Sequence, residues 1–132
     1  MLRTAAVLCW VLAAGFGLLD VVAIAHTAGG GGVWTFFGYP TYGRGPFEDA
    51  GLPTTVPLLA GFLLVAVAEA VVGVLLWRRR RSGVVGALLL LPFELAYWIG
   101  FALPAGPVLG VVRTVLVLRA ARAGVGPAAP RA

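Results

Sequence analysis

The chain has 132 residues, of which 61% are hydrophobic and only 11% charged, and its mean hydropathy is +0.99. A soluble domain needs a charged coat that these side chains cannot supply, whereas charge-free stretches of about 20 residues match the hydrocarbon thickness of a bilayer. The net charge of +5 does not mark a nucleic-acid binder, because the arginines stand beside apolar segments and no basic helix interleaves base-reading side chains.

In chain order, residues 4–26 form the first predicted span, preceded by Arg3. A cleaved signal peptide is the rival reading, with Arg3 as its basic flank and Ala23-Ile24-Ala25 as its cleavage motif. Asp20 and the length of the apolar run favour a span. Either reading puts the next segment outside the cytoplasm.

Residues 28–54 form a connector with Gly29 to Gly32, then Trp34, Phe36, Phe37, Tyr39, Tyr42 and Phe47 among glycines and prolines. Aromatics at this density suit the headgroup region, so the loop is expected to lie along the outer interface or to cap the helices. The functional alternative is that Trp34, Phe37, Tyr39 and Tyr42 line a way in for an apolar ligand.

The second span, residues 55–77, tolerates Pro57 in its first turn and stops against Arg78, Arg79, Arg80 and Arg81. A short turn over 78–83 makes the third span, residues 84–103, an antiparallel neighbour. After the turn Leu103-Pro104-Ala105-Gly106-Pro107 comes the fourth span, residues 107–122. Its uncharged apolar part is short for a bilayer, and Arg119 and Arg122 are expected to extend it by snorkelling to the inner headgroups. At 100° per residue Arg113, Arg119 and Arg122 spread over about half the circumference, which argues against a surface-lying helix. The expected domain is residues 1–123, followed by a disordered tail over 124–132.

With four spans, Arg3, Arg78 to Arg81, Arg119, Arg122 and Arg131 fall on one side, and Arg44, Glu48 and Asp49 on the other. The arginine-rich side is cytoplasmic by the positive-inside rule, so both termini are expected there, in the cytoplasmic membrane. All ten basic residues are Arg, and Lys, Asn and Gln are absent. That pattern fits a GC-rich coding bias and makes Arg at any one site weak evidence of Arg-specific chemistry.

Asp20, Glu69, Glu94 and Arg113 fall inside the spans. Each costs about 2.5 to 3.5 kcal/mol at a helix centre on insertion scales, so they are expected to converge on the interior. Counted from the turn at Pro104, Glu94 and Arg113 lie at matching depth on antiparallel neighbours and form the predicted pair. Glu69 is expected slightly to the cytoplasmic side and Asp20 several residues outward, giving a staggered column. Small residues accompany it: Ala13 and Gly17 near Asp20, Ala66 and Gly73 around Glu69, Gly106 and Gly110 near Arg113. Pro92 is expected to kink the third span. The column is either structural, fixing helix registry, or serves transport or redox, with Glu69 and Asp20 as titrating members.

No soluble-type catalytic site is expected. His26 is the sole histidine, so a Ser-His-Asp triad or a zinc site lacks partners, and Gly29 to Gly32 follow no strand as a phosphate loop would. Cys9 is the sole cysteine, which excludes an intramolecular disulfide and reads as a small buried residue. No catalytic residue, metal or cofactor is assigned.

Phe47, Ala50-Gly51-Leu52-Pro53, Leu58-Leu59-Ala60-Gly61 and the stretch from Glu69 to Gly73-Val74-Leu75-Leu76 resemble the DoxX-like family of small membrane proteins, over about residues 47–76. The resemblance implies four membrane helices and a bacterial cytoplasmic-membrane subunit, in some members associated with quinone-linked oxidoreductases. Glu69 is the one acid it carries over; the Arg78 to Arg81 run, the aromatic loop and Arg113 have no counterpart in it. The expected fold is therefore an all-α, four-transmembrane-helix bundle. The expected function is that of a non-enzymatic accessory or scaffolding subunit in contact with lipid, itself or a larger membrane complex, and not with nucleic acid. The alternative is a small carrier or quinone-associated redox partner subunit using buried carboxylates.

Overall fold

The computed structural model describes residues 1–124 apart from 32, 37, 38, 41, 43 and 44, and only the backbone of 36, 39 and 40. Phe37, Arg44, the Tyr39 side chain and the expected disordered tail beyond 124 thus lie outside the described residues.

The described chain is helical throughout its long elements. Helix α1 covers Leu2–Ala28 (27 residues). A two-residue antiparallel ladder, β1 (Thr35–Phe36) and β2 (Tyr39–Pro40), follows. The one-turn helix α2 (Pro46–Asp49) leads to α3 (Val56–Trp77), α4 (Arg81–Gly100) and α5 (Ala105–Arg122). Helices α1, α3 and α4 are long and apolar enough to cross a membrane; α5, with 18 residues and three arginines, falls short of that measure.

Each boundary has a local cause. Thr55 caps α3 by accepting from the Leu58 amide, and Pro57 stands in its first turn, where a missing N–H costs nothing. Arg79 at φ 55° and the extended Arg80 turn the chain in fewer residues than the expected 78–83. Helix α4 therefore starts three residues early and includes Ser82 and Gly83. Gly83 is required there, since a Cβ would press on the backbone of Leu75 and Leu76. Helix α4 runs unbroken through Pro92. Ala102, at φ 54°, reverses the chain into α5.

The four long helices pack in a closed order: α1 against α3 and α5, and α4 against α3 and α5. Neighbours are antiparallel, as the contacts at both ends show. Trp10 of α1 meets Trp77 of α3 at 5.5 Å between ring centroids, while Phe16 meets Phe62 at 6.0 Å. Close approach comes from small residues: Gly17 lies against Ala66, and Gly106 and Gly110 lie under the Trp98 ring, where a Cβ on either would collide with it. The Trp10 indole N–H adds a bond across the seam, donating to the Ala70 carbonyl at 3.2 Å.

The burial pattern is the inverse of a soluble protein's. Asp20, Glu94 and Arg113 have 0% of their surface exposed and Glu69 3%, while Leu64 is 71%, Leu89 67% and Val108 64% exposed. Two apolar clusters fill the interior. One, around Leu76, Val84 and Val117, occupies the arginine-bearing end; the other, around Phe62, Trp98 and Phe101, occupies the end covered by the 29–55 loop. The loop thus caps the helices, and it contributes to the core: Tyr42 is wholly buried.

Replacing Gly110 by Val tests this packing. It is expected to destabilise the protein by about 1 to 3 kcal/mol through overpacking, measured by thermal unfolding in detergent. Most of that cost should vanish in a Trp98→Ala background; an equal cost in both backgrounds would show that the ring and the glycine do not meet.

Candidate functional site

Three of the four predicted charges converge. Arg113 on α5 donates from Nη1 to Glu94 Oε1 at 2.7 Å and from Nη2 to Glu94 Oε2 at 2.6 Å, a bidentate pair between α5 and α4. The same Nη1 also donates to Glu69 Oε1 on α3. One guanidinium therefore joins three helices and leaves one carboxyl in excess. The planar fork fits a carboxylate edge in two parallel bonds and specifies direction as well as distance.

The matched-depth count thus found its pair, and the structure brings Glu69 onto the same arginine rather than one step below it. Among the described residues Arg113 Nε has no hydrogen-bond partner of good geometry. On the fourth side α1 supplies Cys9, fully buried and within electrostatic reach of Arg113, Glu69 and Glu94. From sequence alone Cys9 reads as a small buried residue, with nothing to place it beside the centre. The signal for its position is the small-residue stripe Ala5, Cys9, Ala13, Gly17, which runs along α1 to Asp20 at spacings of three and four.

Asp20 stands apart from this centre. It is wholly buried on α1 near the loop end, and among the described residues neither carboxyl oxygen has a hydrogen-bond partner. Tyr42 and Tyr97 are its titratable neighbours. The four charges are arranged as a three-membered centre with Asp20 set apart from it toward the loop end.

Of the predicted loop aromatics, Trp34 is half-buried and packs on the loop-end cluster. Tyr42 departs from its expected place at the interface or at a ligand mouth. Its hydroxyl donates to the Phe16 carbonyl at 2.7 Å, and its ring meets Phe62 and Phe101 edge-on, each at 5.5 Å. Its backbone sits at φ 59°, costly for a bulky residue. The ring contacts, the hydroxyl bond and the Thr54 hydroxyl on its carbonyl hold it there. Burial, and after it the nearby Asp20, raises the hydroxyl's pKa far above the ordinary tyrosine range, so it remains a donor.

Grooves on the outside carry none of the four charges. One between α1 and α3, of about 300 Å³, is lined by Trp10, Ala13, Ala14, Gly17 and their α3 neighbours; one between α3 and α4, of about 420 Å³, by Val71, Leu89 and Phe93 among others. Among the described residues no group of His, Cys, Asp and Glu is arranged to hold a metal ion.

Comparison with protein-family models, with curated proteins and with solved structures returned no match.

Arg113→Ala leaves two buried carboxyl groups without their donor and is expected to cost about 3 to 5 kcal/mol, measured by unfolding in a detergent–denaturant series. Adding Glu94→Ala should recover part of the loss, and adding Glu69→Gln as well should recover most of it. Equal damage from the single and the triple variant would remove Arg113 as the common partner.

Proposed function

We propose that this chain is a multi-pass integral protein of the cytoplasmic membrane, spanning it four times with both termini inside. In this reading it is a non-enzymatic accessory or scaffolding subunit rather than a catalyst. The observation that carries it is the inverted burial: charge sealed at the centre, bare Leu, Val and Phe outside. Only a hydrocarbon solvent makes that arrangement favourable. Helix α5 counts as the fourth span because its mid-helix charge is consumed by two carboxylates, while Arg119 and Arg122 fall in its last turn. The centre then acts as a registry lock that fixes the rotation and depth of α3, α4 and α5. On this reading the chain is a small membrane subunit of the kind that the resemblance of residues 47–76 to DoxX-like proteins implies.

One observation favours a second reading. Asp20 is buried and unpartnered, and registry locking does not use it. A small carrier or quinone-associated redox partner subunit would use Asp20 together with Glu69, the excess carboxyl of the centre.

Alkaline phosphatase fusions test the topology. A fusion after Asp49 should be active and one after Ala123 inactive; an active fusion after Ala123 would leave α5 uncrossed and overturn the four-span reading. The two functions separate on quinone titration of the protein in nanodiscs, followed by tryptophan fluorescence. The accessory reading expects no saturable quenching, and saturable quenching abolished by Asp20→Asn would establish the other.

A further inference from the structure

At the end of the molecule where α1 begins and α3 stops, the arginines have no ion-pair partner among the described residues. Among the described residues, Arg78, Arg79, Arg80, Arg81, Arg119 and Arg122 make no ion pair, since the salt bridges are those of Arg113. Arg3 stacks over the Trp77 ring at 4.9 Å. The acids lie elsewhere: Glu69 and Glu94 at the centre, Asp20 near the loop end, and Glu48 and Asp49 in α2. In this positive field a notch of about 200 Å³ opens between the start of α4 and the end of α5, lined by Arg81, Val84, Val85, Ala121 and Gly124. It differs from the grooves along α1/α3 and α3/α4, whose linings hold no charged residue.

We propose that this notch binds one anionic phospholipid from the inner leaflet. Arg81 takes the phosphodiester, in the two-bond geometry a guanidinium offers a phosphate. The acyl chain lies along Val84, Val85 and Ala121 toward the exposed apolar faces of α4 and α5. Charge complementarity selects an anion, and the apolar floor selects one that carries a hydrocarbon chain. Basic pockets between membrane helices at the cytoplasmic level are built for such headgroups. The inference rests on the multi-pass reading with this end inside.

The test uses the full chain in mild detergent and counts retained lipid by native mass spectrometry against phosphatidylglycerol and phosphatidylcholine. One phosphatidylglycerol per chain should be retained, preferred over phosphatidylcholine by about tenfold. Arg81→Gln should abolish the preference. Ala121→Trp fills the floor without touching any charge and should lower retention by a similar factor. Both positions are exposed, and circular dichroism verifies that both variants fold. Wild-type retention in Ala121→Trp, or a loss with Arg78→Gln as large as with Arg81→Gln, would reduce the effect to a diffuse field and overturn the site. Binding of soluble glycerol phosphate as tight as that of the lipid would overturn it too. Carbonate washing of membranes reports the multi-pass reading separately: a chain that stays in the membrane yet shows no preference for anionic lipid sinks the lipid site alone.

Discussion

A guanidinium stays ionised at any accessible pH, so a helix that carries Arg113 inward must bring its counter-ions with it. Glu94 and Glu69 answer that demand from two other helices. The bonds are directional, and each helix supplies one side chain of fixed reach. The rotation of α3, α4 and α5 about their axes and their relative depths are therefore no longer independent. In lipid this matters more than in water, because apolar side chains do not distinguish a neighbouring helix from an acyl chain and offer little driving force for any one register. Helix α1 lies outside the ionic net. It is held by close packing, through the Trp10 bond to Ala70 and the Gly17–Ala66 contact, and by the Tyr42 hydroxyl that reaches back to its Phe16 carbonyl. The molecule thus joins a charge-locked trio to a shape-matched fourth member.

On the four-span proposal, the same centre accounts for α5 falling outside a count of length and charge. Such a count treats every arginine as a cost, whatever its counter-ions. In α5 one of three arginines is neutralised by two carboxylates and the other two stand in the last turn. At about 1.5 Å per residue, an 18-residue helix rises some 27 Å, close to the roughly 30 Å of a hydrocarbon core. The proposal that α5 crosses therefore needs only a short reach by Arg119 and Arg122 to the headgroups.

Much of this was legible in the residues, and the rest was not for identifiable reasons. Apolar run lengths located the long helices, and the turn at Pro104 made Glu94 and Arg113 equidistant and so a pair. Depth along a helix follows from counting; rotation about it does not. Ala66 and Gly73 marked the face of α3 that carries Glu69 as an inner one, but not how far that face turns toward α5, so its place on Arg113 emerged only from the packing order. The loop was harder still. Tyr42 has no period around it and adopts a left-handed backbone that only its tertiary partners justify, so composition suggested an interfacial residue where there is a core one. The early start of α4 had the same origin: the tolerance for Gly83 depends on how near Leu75 and Leu76 come.

Asp20 sets the limit of the structural reading. Among the described residues the other buried charges are used: Arg113 by two carboxylates, and each of those by Arg113. Asp20 takes part in no such exchange, yet it occupies a site where an unbonded polar group costs on the order of a few kcal/mol. An Ala or Leu at that position of α1 would pack against the same aromatic neighbours without the penalty. Tyr42, its titratable neighbour, donates its hydroxyl to the Phe16 carbonyl. A residue that costs stability and returns none through the contacts around it is the one place where a scaffold alone is an insufficient account. That is why the carrier reading starts from Asp20, with Glu69, the excess carboxyl of the centre, as its second member.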